Sequence, residues 1–305
     1  MYLGIDTSNY TTSIAVFDGI NGENRSRLLD VKPGELGLRQ SDAVFAHIKR
    51  LPELADALFQ CADRAAIRAI GVSTRPRAVE GSYMPCFLSG VSAAKTMAAV
   101  LGVPCYEFSH QQGHIAAALW SAGRMDLMKQ PHLAWHLSGG TTELLLVEPE
   151  GENVRASQIG GTDDISAGQI MDRTGKRLNL NFPSGKALDA LSREAESHDY
   201  FKVKTNMLRF SFSGLENKVT QYYNSGHTSA DTARYAVHSV CDAVIRTTKD
   251  ALKEYPGLPV VFSGGVASNS MLRESCQAFE AIFAQPTLST DNALGIAVLS
   301  WLQED

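Results

Sequence analysis

Two stretches, one in each half of the chain, are built alike, and they constrain the fold more than any other feature. Leu3-Gly4-Ile5 runs into the polar Asp6-Thr7-Ser8-Asn9-Tyr10-Thr11-Thr12 and out through Ser13-Ile14-Ala15-Val16-Phe17. Leu133-Ala134-Trp135-His136-Leu137 runs into Ser138-Gly139-Gly140-Thr141-Thr142 and out through Glu143-Leu144-Leu145-Leu146-Val147. Short apolar runs on either side of a hydroxyl- or glycine-rich turn read as strand, turn, strand. The same device in each half predicts two lobes. Length agrees, because 305 residues exceed the ~250 to 300 at which a single core stops growing.

Helical patterns fill the intervals. Asp42 to Cys61 carries Val44, Phe45, Ile48, Leu51, Leu54, Leu58 and Phe59 near a 3.6 period. Pro52 interrupts it, which predicts one kinked helix or two short ones. A strand from Ala69 to Ser73, a small-residue helix from Ser89 to Leu101 stopped by Gly102, and a strand from Val103 to Phe108 follow. The second half adds helices at Ser166 to Leu178 and Lys186 to Ala195. Its clearest helix, Ser229 to Glu254, places Ala233, Val237, Val240, Val244 and Leu252 on or near one face, as a core helix does. A strand from Pro259 to Phe262, a turn at Ser263-Gly264-Gly265 and a helix from Asn269 to Phe279 come next.

Composition removes several classes. A hydrophobic share of 44% and a charged share of 20% are those of an ordinary globular protein. No run approaches the ~18 apolar residues of a membrane span. Met1-Tyr2-Leu3-Gly4-Ile5-Asp6 has no signal-type pattern, so the expected compartment is the cytoplasm. Cys61, Cys86, Cys105, Cys241 and Cys276 are odd in number and lack a C-x-x-C pair, which argues against a disulfide framework and a zinc ribbon. A net charge of −5 does not suit bulk electrostatic binding of nucleic acid. Any such contact needs a local basic patch or a partner subunit.

The sharpest motif is His110-Gln111-Gln112-Gly113-His114. Histidines at i and i+4 on a helix share a face and can reach one transition-metal ion. Ser109 is placed to cap that helix. Gly113 costs about 1 kcal/mol in a helix interior relative to Ala, so something is expected to approach the backbone there. The bland reading is two histidines without an ion, and a third ligand must come from elsewhere.

Three turns, Ser138-Gly139-Gly140, Ser184-Gly185-Lys186 and Ser263-Gly264-Gly265, expose backbone N–H groups that suit phosphate oxygens or an adenine ring. Each alone is an ordinary tight turn. Asp164, Asp172, Asp189 and Asp291 read from pattern as solvated carboxylates. Lys202, Lys204, Arg209 and Lys218 around Phe210-Ser211-Phe212-Ser213-Gly214, and Arg75 and Arg77 around Pro76, are candidate phosphate contacts on a charged surface.

In chain order, Gly4-Ile5-Asp6-Thr7-Ser8, His110 to His114, Ser138-Gly139-Gly140, Gly168 to Lys176, Pro183-Ser184-Gly185, Phe210 to Leu215, Gly264 to Asn269 and Thr290-Asp291-Asn292-Ala293 form one series. It resembles that of the bacterial TsaD type of tRNA threonylcarbamoyl transferase, once described as an O-sialoglycoprotein endopeptidase. The resemblance covers nearly the whole chain. It implies an α/β protein of the actin-like ATPase (ASKHA) fold, with two lobes, each a mixed sheet flanked by helices. The N-terminal lobe is expected over 1–108 and the C-terminal lobe over 109–305, with a ligand cleft between them.

The resemblance further implies that His110, His114 and Asp291 bind one divalent metal ion, iron or zinc. It implies an adenine nucleotide or threonylcarbamoyl-adenylate against His136, Leu137, Ser138, Gly139, Gly140, Asp172, Gly185, Asp189 and Asn269. The function it implies is acyl transfer of threonylcarbamoyl from the adenylate to an adenosine of tRNA, with no covalent protein nucleophile and no catalytic side chain assigned. Helper subunits that bring tRNA, and a heterodimer with a smaller actin-like paralogue, are the implied partners. No membrane is involved.

Four departures imply a divergent member. Where the family has T-S-C-D-E-T, this chain has Thr7-Ser8-Asn9-Tyr10-Thr11-Thr12, without either acid. A-G-P-G is replaced by Thr74-Arg75-Pro76-Arg77, S-G-G-H-T by Ser138-Gly139-Gly140-Thr141-Thr142, and P-G-G-P by Pro183-Ser184-Gly185-Lys186. Two alternatives follow from them: a non-catalytic nucleotide-binding scaffold or regulatory paralogue, and a carbamoyl transferase with another acceptor. A metallopeptidase would need the H-E-x-x-H general base, which is missing.

Overall fold

The computed structural model describes residues 1–8, 10–30, 39–279, 281–288 and 291–304. In chain order its elements are β1 (Tyr2–Ser8), β2 (Thr11–Phe17), β3 (Gly22–Leu28), α1 (Gln40–Leu58), β4 (Ala69–Arg75), α2 (Phe87–Leu101), β5 (Cys105–Ser109), α3 (His110–Ser121), β6 (His132–Leu137), β7 (Thr142–Glu150) and β8 (Asn153–Thr162). There follow α4 (Ala167–Arg177), α5 (Gly185–Ser192), β9 (Thr205–Asn206), β10 (Arg209–Phe210), α6 (Ser213–Asn224), α7 (Ser229–Glu254), β11 (Val260–Ser263), α8 (Ser270–Ser275), β12 (Ile282–Phe283) and α9 (Leu294–Leu302).

These elements form two compact units. The first comprises 1–130, 148–156 and 291–305, and the second 131–147 and 157–290. A boundary was expected at 108/109, whereas by contacts the first unit runs on through α3 and takes back the last helix of the chain. The reason lies in α9, whose LGIAVLSWL sequence is apolar all round and is buried along Leu294–Ser300.

The sheet of the first unit has the order β3-β2-β1-β4-β5. β1 and β2 are the antiparallel hairpin expected from sequence, pairing Ile5 with Ile14, and β1 continues in parallel into β4, which continues in parallel into β5. Both hairpin strands are buried along their whole length. A strand covered on both faces needs small residues where a helix lies close. A Cβ on Gly4 would strike the backbone of Ala293 and Ala297, so α9 lies directly on β1. Leu3, Ile5, Ile14, Val16, Ile70 and Val72 of the sheet pack with Leu51 and Leu58 of α1 and Ala94 and Ala98 of α2.

The second sheet has the order β12-β11-β6-β7-β8-β10-β9. β6 and β7 are the second expected hairpin, antiparallel with Trp135 opposite Leu144, and β11 lies parallel to β6 with Ser263 beside His136. α7 supplies the core stripe that its sequence announces. Ala233, Val237, Val240 and Val244 are buried against Leu133, Trp135 and Phe262, with Leu252 partly buried at the edge. Trp135 Nε1 donates to Thr248 Oγ1 of that helix at 2.8 Å, which satisfies the indole in an apolar setting.

Several boundaries moved. α1 is one helix that runs through Pro52. The helix expected from Asn269 to Phe279 is α8 followed by a 3-10 turn over Cys276–Phe279. The predicted helix from Lys186 to Ala195 is α5, which ends at Ser192. β3, β8, α6 and α9 were not expected.

Candidate metal centre and nucleotide turns

β5 ends on Ser109, and the chain turns there into α3. Ser109 Oγ accepts from Gln112 N at 3.2 Å, while Gln112 Oε1 accepts from Ser109 N at 2.9 Å. This reciprocal cap fixes the first turn, so His110 and His114 stand on one face, their Nε2 atoms 2.9 Å apart. Asp291, just before α9, places Oδ1 3.5 Å from His110 Nε2 and 3.3 Å from His114 Nε2. Ligand atoms bound at ~2.0–2.1 Å to one ion lie about 3 Å from each other. The three groups, all within 4.8 Å of one another, therefore fit a single metal. Imidazole and carboxylate donors suit iron or zinc better than the all-oxygen sites of magnesium and calcium.

Behind this set lies Asp6, to which the sequence assigns no role. It is 1% exposed, at the end of β1, and its Oδ2 is 2.6 Å from His110 Nδ1. Oδ1 accepts from Ser8 N at 2.8 Å. Burial alone would raise the Asp6 carboxyl, but the charge and hydrogen bond of His110 outweigh it and hold the group below its ordinary value. Burial would lower His110, yet Asp6 and Asp291 push it up to about 10. Burial likewise opposes ionisation of Asp291, and the hydrogen bonds of His110 and His114 keep it well below the carboxylate range. Thr11 Oγ1 donates to Asp291 Oδ2 at 3.1 Å. Asn9 and Thr290, which flank these residues in sequence, lie outside the described residues.

Gly113 has a packing explanation. A Cβ there would meet Ile296 Cδ1 at 2.8 Å, and a Cβ on Gly295 would strike the Gly113 carbonyl oxygen, so α3 and α9 cross glycine to glycine. The approach to the backbone that the sequence predicts is made by a helix.

The residues expected around a nucleotide all fall in the second unit. His136, at the end of β6, places Nδ1 3.4 Å from Ser263 Oγ. Gly264 has φ 91°, and a side chain there would strike the carbonyl of Leu137, so only glycine fits this turn. Ser138 Oγ accepts from Gly140 N at 3.3 Å and Thr141 N at 3.0 Å, and Ser166, the cap of α4, donates to Gly139 O at 2.7 Å. Asp172, on α4, accepts from Ser184 N at 2.8 Å, and burial raises its carboxyl. Space beside Gly139, Gly140, Gly185 and Gly265 is open where a Cβ would stand.

Asp189 and Asn269 differ from this pattern, because they are occupied with each other. Asn269 Nδ2 donates to Asp189 Oδ1 at 3.0 Å, Ser270 N and Oγ donate to the same carboxylate, and Asn269 Oδ1 caps Leu272 N at 3.1 Å. Asp164 is also structural. It accepts from Phe212 N at 2.9 Å, Ser213 N at 3.1 Å and Ser211 Oγ at 2.5 Å, anchoring the start of α6. Partial burial opposes its ionisation, and these hydrogen bonds hold it well below the usual carboxylate range. Of the basic group, Arg209 pairs with Asp163 at 2.6 Å and Lys218 donates to Gln221 at 3.1 Å.

A family model described as tRNA N6-adenosine threonylcarbamoyltransferase, TsaD, matches residues 33–298. The chain belongs to the TsaD family. Members of this family are acyltransferases by name. A TsaD relative from Sulfurihydrogenibium sp. (strain YO3AOP1), carrying that description, is 32% identical over 313 residues, 97% of this chain and 88% of its own length. Another from Streptococcus suis (strain 05ZYH33) is 31% identical over 321 residues, 98% and 90% of the two chains.

Solved structures establish the actin-like fold of this TsaD member. Full-length HypF in its phosphate- and nucleotide-bound form aligns with TM-score 0.62 at 14% identity, covering 98% of this chain and 45% of that one. The Acidaminococcus fermentans (R)-2-hydroxyglutaryl-CoA dehydratase component A gives 0.57 at 16% identity over 99% and 98%. A ROK family glucokinase from Streptomyces griseus gives 0.54 at 10% identity over 100% and 99%.

Proposed function

We propose that this chain transfers a threonylcarbamoyl group from its adenylate to the N6 amine of an adenosine in tRNA. In that reaction the amine nitrogen bonds to the carbamoyl carbon, the bond from that carbon to the adenylate phosphate oxygen breaks, AMP departs, and the amine proton passes to solvent. The observation that carries the reading is the convergence of His110, His114 and Asp291 in a chain 32% identical to a named transferase. The three residues would hold one iron or zinc ion, which supplies Lewis-acid polarisation and neutralises charge on oxygen. Asp6 orients His110, and Thr11 orients Asp291. The open glycine turns at Gly139, Gly140, Gly185 and Gly265 receive the adenylate, and Ser138 holds its turn in shape for that purpose.

Partner subunits complete the proposal. The net charge of −5 leaves tRNA recognition to helper proteins and to local basic groups. A heterodimer with a smaller actin-like paralogue through the first unit is supported by Phe45 and Ile48 on α1 and Leu88 on α2, large apolar side chains that are more than half exposed. The working compartment under this proposal is the cytoplasm, and among the described residues no helix is long and apolar enough to cross a membrane.

The test incubates metal-loaded protein, with and without such partners, with threonylcarbamoyl-adenylate and unmodified tRNA, then digests the tRNA for mass spectrometry. Threonylcarbamoyl-adenosine that disappears in Asp291→Ala is the expected result. Adenylate consumed without modified tRNA would assign another acceptor. Nucleotide binding with neither would leave a scaffold or regulatory paralogue.

A further inference from the structure

A pocket of about 130 Å³ in the second unit is lined by Ser192, Arg193, Arg234, Ser270, Met271 and Glu274. Its charged donors are two guanidinium groups, and among the described residues no carboxylate lies within hydrogen-bond distance of either. Arg234, on α7, donates from Nη2 to His198 Nδ1 at 2.9 Å, and among the described residues no carboxylate pairs with it. Arg193, at the end of α5, gives Nε to Ser270 Oγ at 3.1 Å. The ion-pair partner of Arg193 is Asp189 at 3.8 Å, whose oxygens already accept from Asn269 and Ser270.

Nothing else in the lining competes for an anion. Ser192 Oγ donates to the Asp189 backbone carbonyl at 2.7 Å and Ser270 Oγ donates to Asp189 Oδ1 at 2.8 Å, so neither hydroxyl proton is left for an anion. Glu274 is exposed, and among the described residues it pairs with neither arginine. Two guanidinium groups that line one pocket with no carboxylate in hydrogen-bond range repel each other, and a shared anion relieves that repulsion.

We infer that Arg193 and Arg234 bind one phosphate group in this pocket. A carboxylate is satisfied by a single guanidinium fork, whereas a tetrahedral phosphate presents oxygens to two forks on different helices. The phosphate comes either as the free ion or as part of an RNA backbone. The inference does not depend on the transferase reading, because phosphate binding is measured without any group transfer.

The experiment titrates the full chain with inorganic phosphate by calorimetry and thermal melting, holding ionic strength constant with chloride. Saturable binding is expected in the wild type, and Arg193→Gln and Arg234→Gln should each weaken it at least ~10-fold, the size of a lost charged hydrogen bond. Glu274→Gln should tighten it by removing a nearby negative charge. A purely structural role for the arginines would not produce that opposite sign. If Arg234→Gln fails to fold, Arg193→Gln and Glu274→Gln, both at exposed positions, carry the test. No saturable binding, or equal binding by wild type and Arg193→Gln, overturns the site.

A second arm measures unmodified tRNA binding against salt. A loss of about one from the slope of log K in either arginine variant assigns the occupant to the RNA backbone. An unchanged slope, with phosphate binding intact in the wild type, assigns it to the free ion.

Discussion

Asp6 and His110 come from different elements, the end of β1 and the start of α3, and their side chains meet at 2.6 Å. A carboxylate on Nδ1 fixes which ring nitrogen carries the proton and leaves Nε2 for the metal. Asp6→Asn keeps the size of the side chain but removes its charge. Metal affinity should fall about 10- to 100-fold, the usual effect of losing such a partner, while His110→Ala with His114→Ala should abolish binding. Competition against a chelator of known affinity measures both. Wild-type affinity in Asp6→Asn would show that the contact has no influence on the ligand.

The glycine turns proposed to receive the adenylate invite a variant that spares the fold. No atom lies within 4 Å of where a Cβ would stand on Gly140, so Gly140→Val should leave the unliganded protein's melting temperature nearly unchanged. It should also place a side chain in the open space where the ligand is proposed to bind. Millimolar AMP or ATP is expected to raise the wild-type melting temperature and to raise that of Gly140→Val much less. Asn269→Ala is a poorer probe. It removes the cap of α8 and the bond to Asp189, and should cost ~0.5–2 kcal/mol without any ligand.

What the sequence could reveal followed from how local each signal is. The two hairpins and α7 were legible because alternation and 3.6-residue spacing survive in them. β3 is an edge strand with the polar sequence GENRSRL, and α9 is uniformly apolar, so neither carries a period to detect. The histidine pair was visible from spacing alone. Asp291 was reachable only through family resemblance, since the chain's far end brings it to α3. Asp6 read as a turn residue because burial of an acid leaves no mark on sequence. Asp189 and Asn269 were expected at the ligand, and the structure shows much of their hydrogen-bonding capacity spent on each other and on Ser270.

The α3–α9 crossing gives a ranking of two similar substitutions. A Cβ on Gly113 would press on Ile296 Cδ1 at 2.8 Å, the flexible tip of a side chain. The added helix propensity, about 1 kcal/mol, offsets part of that strain. A Cβ on Gly295 would strike the backbone carbonyl of Gly113, which cannot rotate away. Gly295→Ala should therefore be destabilised by ~3 kcal/mol or more, with Gly113→Ala much closer to wild type. Denaturant melts of the two variants decide the matter, and the reverse order would refute the crossing.

His47 makes stability depend on pH. It lies fully buried on α1, with Nδ1 2.8 Å from Thr12 Oγ1 and Nε2 without a partner among the described residues. Burial lowers its pKa from 6.5 to about 4, so the folded protein keeps the ring neutral while the unfolded chain protonates it first. The sign follows. Above pH 6.5 both states are neutral and the group has no effect on folding. As pH falls from 6.5 towards 4 the unfolded state binds the extra proton and stability is lost, and below about 4 the loss stops growing. A shift of this size corresponds to roughly 3 kcal/mol at most. His47→Gln retains a polar group opposite Thr12 but cannot titrate. Urea melts from pH 7.5 to 4 should show wild-type stability declining more steeply than that of His47→Gln by about this amount. Parallel curves for the two proteins would mean that His47 does not titrate in this range.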